Sequence, residues 1–484
     1  MKAFLVSTPM SNFKIRKIRQ HQSRSRIWGW MLEHLGSFGA KTIAVVLILS
    51  IVIFFLVFWL PSGLWDTVKN ISGAGLPTDL HGRTNVLVLG VAGDSEEGGL
   101  LTDSIMVVSL DVKKGSFNSL SLPRDLYVHS PLGDSKINEI YSRLYALGLR
   151  KFLPPTPEGR EPVRAATGLA ALDITREQVA EFLQMEIHYG AVINFQVFEK
   201  IIDELGGIDL FIPEDIEDPY YPTDNYGFQT FTIRRGIQHL DGATALKYVR
   251  SRKTTSDYNR SKRQQMVLRA IADKALSAQI ITDIGKIKRF FYLYRQNVVT
   301  DIDIGTGIAL ATVMAGSDPT QGHREVLSND PSVTGGLLYA PGLEKYDGQF
   351  VLIPENEEDI PFFVHLNLLD TSTLDEKAQI IAQNATKKEG HAWETESRLR
   401  QMGFLLSKSV NYEKKEGEKI PVVQLKDITQ ENPKTRKFLI QWLGISDSDV
   451  IDVEPLDRPK NITEDFEIIL GRCNFSGASK VYFT

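Results

Sequence analysis

A basic stretch at residues 234–269 contains the side chains best suited to binding and chemistry. It holds ten Lys or Arg residues and two acids, in a chain whose net charge is −5. A solvated basic face is the ordinary interpretation of such a charge run, but the spacing favours a binding site. Arg250 and Arg252 follow the apolar run ALKYV, so at the end of a strand both side chains would point to one side.

The second half of this stretch has the spacing of one helix face. Arg260, Arg263, Gln264 and Val267 follow an i, i+3, i+4, i+7 pattern. Arginine pairs on two adjacent elements would form a clamp for a multiply charged anion, because guanidinium forks match phosphate oxygens. Few aromatic residues accompany the cations and the chain is acidic, so we expect no nucleic-acid partner.

Carboxylates at predicted strand ends form a second candidate group. Asp94 lies in a glycine-containing loop after one strand, and Asp103 begins the next. If both meet at one end of the sheet, they suit Mg²⁺, which retains waters and is shared with substrate phosphates. Two aspartates in separate surface loops are the alternative. Arg124 and Asp125 also follow a strand, where a salt bridge in a turn is the simpler interpretation.

The N-terminal region predicts a membrane anchor. Residues 1–41 carry eight Lys or Arg residues and one acid, and residues 42–60 contain no charge. Nineteen uncharged, mostly apolar residues are enough to span a bilayer core. Because positively charged flanks stay on the cytoplasmic side, we expect a single-pass protein of the cell membrane, with residues 1–41 cytoplasmic and everything after about Leu64 extracellular. A linker is predicted at residues 61–82.

Strands alternate with helices along the rest of the chain, which is typical of a layered α-β-α domain. We expect this domain at residues 83–350 and a smaller α/β domain at 351–484. In the first, strands are predicted at 85–89, 103–110, 116–122, 191–195 and 208–212, helices at 137–146, 176–185 and 196–205, and loops at 150–165 and 213–230. In the second, strands are predicted at 362–366, 422–425 and 466–470, and helices at 374–383, 393–402 and 435–443.

Several motifs, taken together in order and spacing, resemble the LytR-CpsA-Psr family. They are TNVLVLG, LTDSIMVVSLD, SLPRDLYV, KINEIY, INFQVFEKIIDELGGIDLFI, LDGATALKYVRSR and DYNRSKRQQMVL. The resemblance covers Arg83 to Ala315. The C-terminal region is similar, through FEIILGRCNF, to a small domain that some members carry.

The resemblance implies a membrane-anchored phosphotransferase that moves a glycopolymer, such as teichoic acid or capsule, from a polyprenyl-diphosphate carrier onto peptidoglycan. It implies Mg²⁺ as cofactor, with Asp94 and Asp103 as its ligands. Asp103, Arg124, Arg250 and Arg252 would be catalytic. The diphosphate would be bound by Arg124, Lys136, Arg250, Arg252, Arg260, Arg263 and Gln264.

One position departs from the family pattern. Members commonly have an arginine just before the Ser/Thr-Asp of the second strand, where this chain has Leu101 before Thr102 and Asp103. The corresponding phosphate contact is either absent or supplied by Lys136 or Arg263.

Three functions use the same site and stay open at this point. Transfer to a sugar hydroxyl, hydrolysis of the lipid diphosphate and binding without reaction all require a diphosphate clamp. The general base is also open between Asp103 and Asp125. The single cysteine, Cys473, excludes an internal disulfide.

Overall fold

The chain divides into two compact units, Met1–Asp66 and Thr67–Thr484. The computed structural model describes only part of the second unit. These residues are 75–93, 99–153, 159–223, 227–251, 257–275, 289, 298–316, 322–413, 422–454 and 463–471. The predicted anchor at 42–60 and the N-terminal segment at 1–41 lie outside this part. Within it, no helix is long and apolar enough to cross a bilayer.

The described residues form nineteen strands. They are β1 Arg83–Val91, β2 Ser104–Asp111, β3 Ser116–Leu122, β4 Tyr127–Val128, β5 Ser135–Lys136, β6 Tyr189–Asn194, β7 Ile208–Ile212, β8 Ile216–Pro222, β9 Phe228–Ile233, β10 Gly236–Leu240, β11 Val299–Thr300, β12 Arg324–Val326, β13 Leu338–Tyr339, β14 Ile353–Pro354, β15 Ile380–Asn384, β16 Lys408–Asn411, β17 Val423–Asp427, β18 Val450–Asp452 and β19 Phe466–Leu470.

Nine α-helices lie among the described residues. They are α1 Ile137–Phe152, α2 Arg160–Leu183, α3 Phe195–Glu204, α4 Gly242–Arg250, α5 Asp257–Ala275, α6 Ile304–Gly316, α7 Asp359–Val364, α8 His391–Met402 and α9 Pro433–Leu443. A π-helical turn, His365–Leu369, follows α7 directly.

The central sheet has six strands in the order β11-β6-β1-β2-β3-β12. β1 pairs with β6 in parallel and with β2 in antiparallel orientation. Successive residues of β1 face opposite sides of the sheet, as strand geometry requires. Leu87 and Leu89 belong to the core that includes residues of α1 and α2, whereas Val86 packs in a second core with Leu310 of α6. Helices therefore cover both faces, and the predicted α/β class is confirmed.

A second sheet follows near the C-terminus, in the order β16-β15-β19-β17-β18. Its buried residues belong to the same hydrophobic cluster as one face of the central sheet; Phe466 and Leu87 are both members. Asn118 of β3 donates its side-chain N–H to the carbonyl of Leu368 at 3.0 Å. The two sheets thus share apolar packing. The predicted domain boundaries at 82/83 and 350/351 stay predictions.

The run ALKYV is helical, so the predicted strand end at Arg250 is wrong. Asp241 caps α4, because its side chain accepts a hydrogen bond from Thr244 N at 2.8 Å. Ala and Leu then favour the helix. Gly242 begins α4 against the backbone of α3, where a Cβ would lie 2.3 Å from Glu199 O. Arg250 is consequently the last residue of a helix.

Four other predicted segments differ from the structure. The predicted loop at 213–230 contains the β8–β9 hairpin, whose prolines are tolerated because the two strands pair only with each other. Within the predicted loop at 150–165, most of the residues that the structure describes belong to α1 and α2. The predicted strand at 362–366 lies in α7 and the following turn. The predicted helix at 374–383 becomes a 3-10 turn and β15, which pairs with β16 and β19.

Candidate functional site

A cavity of about 690 Å³ opens where β1 ends and β2 begins. Its walls come from these strands, from the end of β6, from α3, α4 and α5, and from the β8–β9 hairpin. The polar lining residues are Asp103, Ser104, Arg124, Asn194, Asp218, Arg250, Arg260 and Gln264. Apolar side chains form most of the remainder, including Phe195, Phe198, Ile201, Leu246, Leu268 and Ile271.

Sheet register brings Asp103 and Arg124 together. β2 and β3 are antiparallel with Ile105 opposite Leu122, so the residues two positions further out lie side by side. Arg124 Nη1 donates to Asp103 Oδ1 at 2.8 Å, and its Nε lies 3.5 Å from Asp125 Oδ2. The Arg124 and Asp103 side chains are 31% and 41% exposed. Water therefore screens this ion pair, and both groups remain accessible from the cavity.

Arg250 enters the cavity from the C-terminal end of α4 and lies against two aromatic rings. Its guanidinium carbon is 4.2 Å from the centroid of the Phe195 ring and 5.9 Å from that of Tyr221. Burial raises the pKa of Tyr221, whereas the charge of Arg250 and its hydrogen bond to Tyr221 oppose that rise. A cation over the face of a ring is held in place while its N–H edge can still meet an acceptor.

Helix α5 delivers Arg260 and Gln264 to the same cavity, one turn apart, as the spacing predicts. Gln264 Oε1 accepts a hydrogen bond from Ser104 Oγ at 2.9 Å, which ties the helix to the start of β2. Arg260 is buried. Asp218, which also lines the cavity, is buried and accepts from Ser251 Oγ at 2.9 Å. These bonds hold the polar wall of the cavity in place.

Two predicted ligands do not line the cavity. Arg263 donates to the backbone carbonyls of Tyr248, at 3.0 Å, and of Ser251. It thereby supplies hydrogen-bond donors to carbonyl groups at the C-terminal end of α4. Burial lowers its pKa. Lys136 donates from Nζ to Asp125 Oδ1 at 2.8 Å. Their roles as diphosphate ligands stay predictions. Asp94 and Arg252 lie outside the described residues.

Four residues at or next to this cavity were missed by the sequence reasoning. Phe195 and Tyr221 hold Arg250, Asn194 caps α3 by accepting from Val197 N at 2.8 Å, and Asp218 forms part of the wall. Tyr221 and Asp218 lie in a stretch that the sequence predicts as a loop. Asn194 before FQVFEK has the spacing of an N-cap, which is the one local signal that could have identified it.

One of the two predicted magnesium ligands, Asp103, lies among the described residues. Among the described residues, no group of three or more His, Cys, Asp or Glu side chains could hold a metal ion. Mg²⁺ needs fewer, because it is bound through one or two carboxylates, waters and substrate phosphates. Asp103 fits that requirement: it is a hard oxygen ligand, half-exposed at the cavity, with Oδ1 bonded to Arg124.

The arrangement favours a ligand with two chemically different ends. Arg124, Arg250 and Arg260 line the cavity and would attract an anionic group that accepts several hydrogen bonds. The apolar residues from α3, α4 and α5 offer a dry surface in the same cavity. An anionic head attached to an apolar tail would match both.

Relatives of this chain include proteins described as teichoic acid transferases. The chain is 31% identical over 240 residues to the polyisoprenyl-teichoic acid–peptidoglycan teichoic acid transferase TagV of Bacillus subtilis, covering 49% of this chain and 53% of the relative. It is 28% identical over 259 residues to TagU of Oceanobacillus iheyensis, a protein of the same description, covering 53% of this chain and 70% of the relative. It thus spans about half the length of TagV.

Solved structures and the family profile complete the comparison. The crystal structure of B. subtilis TagV is 26% identical with a TM-score of 0.42, and the match covers 59% of this chain and 97% of that one. The profile of the LytR_cpsA_psr family matches residues 66–340, more than half of the 484 residues. The chain therefore belongs to the LytR_cpsA_psr family.

Proposed function

We propose that this protein transfers a glycopolymer from a polyprenyl-diphosphate carrier onto peptidoglycan. The observation that carries the proposal is the shared cavity, in which Arg124, Arg250 and Arg260 lie on the same walls as a large apolar surface. Membership of the family supports it, as do relatives described as teichoic acid transferases. The cations would bind the diphosphate, and the apolar walls would hold the first part of the polyprenyl chain.

The reaction would replace the phosphoanhydride bond of the carrier by a phosphodiester bond to peptidoglycan. A hydroxyl oxygen of peptidoglycan forms a bond to the phosphorus next to the glycan, and the P–O–P bond breaks. Its electron pair leaves with the polyprenyl phosphate, and the hydroxyl proton passes to a base. Negative charge grows on the leaving phosphate, so a guanidinium fixed beside it lowers the barrier. Arg250, held by Phe195 and Tyr221, is the group best placed for this role.

Asp103, together with Asp94, would hold Mg²⁺, which supplies charge neutralisation of the diphosphate oxygens when it is bound. The apolar segment at 42–60 would anchor the chain in the cell membrane, with the cavity on the extracellular side where the carrier and peptidoglycan meet.

The experiment is a product analysis with the full-length protein in nanodiscs. A synthetic polyprenyl-diphosphate glycan and soluble peptidoglycan fragments are incubated in ¹⁸O-labelled water, with Mg²⁺ or with EDTA, and the products are identified by mass spectrometry. Transfer yields glycan phosphate on the fragment without ¹⁸O. Hydrolysis yields free glycan phosphate that carries ¹⁸O, and binding without reaction yields neither product. Either of the last two outcomes would overturn transferase activity.

Asp103→Asn tests the carboxylate within the same assay. We expect Mg²⁺-dependent turnover to fall by roughly 10²-fold, the order that loss of one strong transition-state contact costs. Asp134→Asn is the matched control, since Asp134 is an exposed carboxylate paired with His129 at 2.5 Å and does not line the cavity. Equal turnover of the two variants would remove Asp103 from the site.

A further inference from the structure

The β8–β9 hairpin forms the most solvent-exposed edge of the cavity. Among the described residues that line the cavity, only Tyr220, Pro222 and Phe228 are exposed, and all three belong to this hairpin. Tyr220 is 54% exposed and Phe228 is 68% exposed. The other described lining residues are buried or half-buried. A ligand that extends from the cavity into solvent at this edge therefore passes the two aromatic rings.

Tyr220 and Phe228, together called the aromatic rim, contact each other. Their ring centroids are 5.9 Å apart, with an angle of 78° between the ring planes. In such a pair the edge of one ring meets the face of the other, which leaves further ring area available to a ligand. Phe228 is paired with Pro222 across the hairpin, and both side chains line the cavity. The aromatic rim is thus one preformed surface and not two isolated side chains.

A buried carboxylate connects the aromatic rim to the end of α4. Asp218 Oδ1 accepts a hydrogen bond from the backbone N–H of Tyr220 at 3.2 Å, and Asp218 Oδ2 accepts one from Ser251 Oγ at 2.9 Å. Ser251 follows Arg250 directly, and the Arg250 guanidinium carbon lies 5.9 Å from the ring centroid of Tyr221, the neighbour of Tyr220. The aromatic rim is therefore held beside the cation to which the proposed function assigns the diphosphate.

The charge of the hairpin favours an uncharged ligand that carries hydroxyl groups. Residues 216–233 contain three acids, Glu217, Asp218 and Asp224, and no Lys, Arg or His. Arg234, which follows the hairpin, pairs with Asp215 at 3.1 Å. An anionic bilayer surface attracts Lys and Arg side chains, so this edge is unsuited to it. A sugar ring is suited, because its C–H groups form an apolar face that packs on aromatic rings while its hydroxyls donate to carboxylates.

We propose that the aromatic rim is a stacking platform for an uncharged pyranose ring. The inference rests on the proposed function, because a diphosphate bound at Arg250 would carry such a ring directly beside it. The ring belongs either to the glycan of the carrier or to the peptidoglycan acceptor, and the chemistry of recognition is the same for both. The polyprenyl chain gains more from the enclosed walls of α3 and α5, where Phe198 and Ile271 are less exposed. Tyr220 and Phe228 would then determine specificity on the sugar side of the diphosphate.

The experiment measures the contribution of the sugar to binding, without turnover. Two ligands that cannot be cleaved, farnesyl methylenebisphosphonate with and without a terminal N-acetylglucosamine, are titrated into the full-length protein in nanodiscs with Mg²⁺ present. Isothermal titration calorimetry gives the two dissociation constants, and their ratio is the contribution of the donor sugar. In a third titration, a soluble peptidoglycan fragment is added to protein that is saturated with the sugar-free ligand, which measures binding of the acceptor sugar.

Tyr220→Ala and Phe228→Ala should each reduce the contribution of one sugar, donor or acceptor, by about fivefold, the order of one aromatic contact. Binding of the sugar-free ligand should change by less than about twofold. The titration that responds identifies the source of the sugar. Phe228→Tyr should retain the contribution, whereas Phe228→Leu, which is apolar but has no ring, should lose it. Phe211→Ala is the matched control, since Phe211 is 61% exposed on β7 and does not line this cavity.

Three results would contradict the inference, with folding of every variant checked by circular dichroism. If the alanine variants weaken the sugar-free ligand as much as the sugar-bearing one, the rings contact the polyprenyl chain, and the inference is wrong. If both alanine variants retain the full contribution of donor and acceptor sugars, the inference is wrong while the proposed function stands. If the unsubstituted protein binds neither bisphosphonate, the proposed function fails, and the inference that rests on it fails as well.

Discussion

Arg250 and Arg436 are both held firmly, but by opposite chemistry. Arg250, in the region of the central sheet, lies 4.2 and 5.9 Å from two aromatic ring centroids. Arg436, in the region of the C-terminal sheet, contacts three carboxylates: Asp427 at 2.9 Å, Asp447 at 3.1 Å, and Asp452. Hydrogen bonds to these carboxylates raise the pKa of Arg436 further above its usual range.

The ion pairs of the two regions also differ, both in their burial and in their number of short contacts. Asp359 and Arg398 form a forked pair near the C-terminal sheet, with contacts of 2.7 and 3.0 Å and an Asp359 side chain that is 4% exposed. Arg124 and Asp103 meet through one short contact at the cavity, and both are more exposed. Arg398 and Arg436 of the C-terminal region are thus each paired with a buried carboxylate of the chain itself, Asp359 and Asp427. The arginines at the cavity keep access to an external anion. The same residue types therefore stabilise the fold in one region and are available for ligand binding in the other.

The largest expected effect comes from removing the C-terminal region after Pro354. Because Phe466, Trp442 and Leu87 belong to one hydrophobic cluster, truncation would expose apolar surface that the central sheet now covers. We expect loss of cooperative thermal unfolding, measured by circular dichroism and calorimetry. A soluble fragment that melts cooperatively and keeps full turnover would show that each region has its own core, in agreement with the predicted boundary at 350/351.

Arg398→Ala should be the most destabilising point substitution of the set. It leaves the buried carboxylate of Asp359 without its cation, which costs about 3–5 kcal/mol. Arg124→Ala removes an exposed pair and should cost at most about 1 kcal/mol. Urea unfolding at pH 7 measures both. Similar losses for the two variants would contradict the distinction between structural and cavity pairs.

Arg250→Lys should have the largest effect on turnover. Lysine keeps the charge but loses the planar fork, so we expect a loss of roughly 2–4 kcal/mol of transition-state stabilisation, with little change in melting temperature. Arg436→Lys is the matched control and should lower the melting temperature while turnover is retained. The two substitutions are compared in the same transfer assay and the same thermal scan. The reverse pattern would mean that Arg250 is structural and that the site lies elsewhere.

The smallest expected effect concerns His365, which follows α7 and meets the His81 ring edge-on, with ring centroids 5.0 Å apart. Burial lowers the pKa of His365 to about 4. Between pH 6.5 and pH 4 the unfolded chain binds a proton that the folded protein does not, so the free energy of unfolding falls as the pH falls. From pH 6.5 to pH 5 this loss is about 2 kcal/mol.

His365→Gln removes that titration. Urea unfolding measures the free energy of unfolding at pH 6.5 and at pH 5. The loss of this free energy between the two pH values should be smaller in the variant than in the unsubstituted protein, by about the amount given above. The comparison uses only the pH dependence, so a change in the variant's overall stability does not affect it. Identical pH dependence in both proteins would show that His365 is accessible to protons in the folded state.

Local pattern was sufficient wherever a segment's own residues decide its structure. β1, β2 and β3 follow from runs of apolar residues bounded by turns, and all three strands are confirmed. The spacing of Arg260 and Gln264 placed both on one face of a helix, and both line the cavity. Asp103 and Arg124 were assigned to strand ends, and the antiparallel register then brings those ends together.

Only the tertiary structure decided the features that depend on distant partners. Strand β15 lies where a helix is predicted, because pairing with β16 and β19 outweighs its helical periodicity. The β8–β9 hairpin brings Tyr221 to Arg250 across a chain separation that no local pattern reports. Arg263, one helical turn from Arg260, turns to the carbonyls of α4 instead of the cavity. The sequence by itself determined which residues could bind an anion, whereas packing decided which of them face the cavity, because a side chain's direction is set by its nearest partners in space.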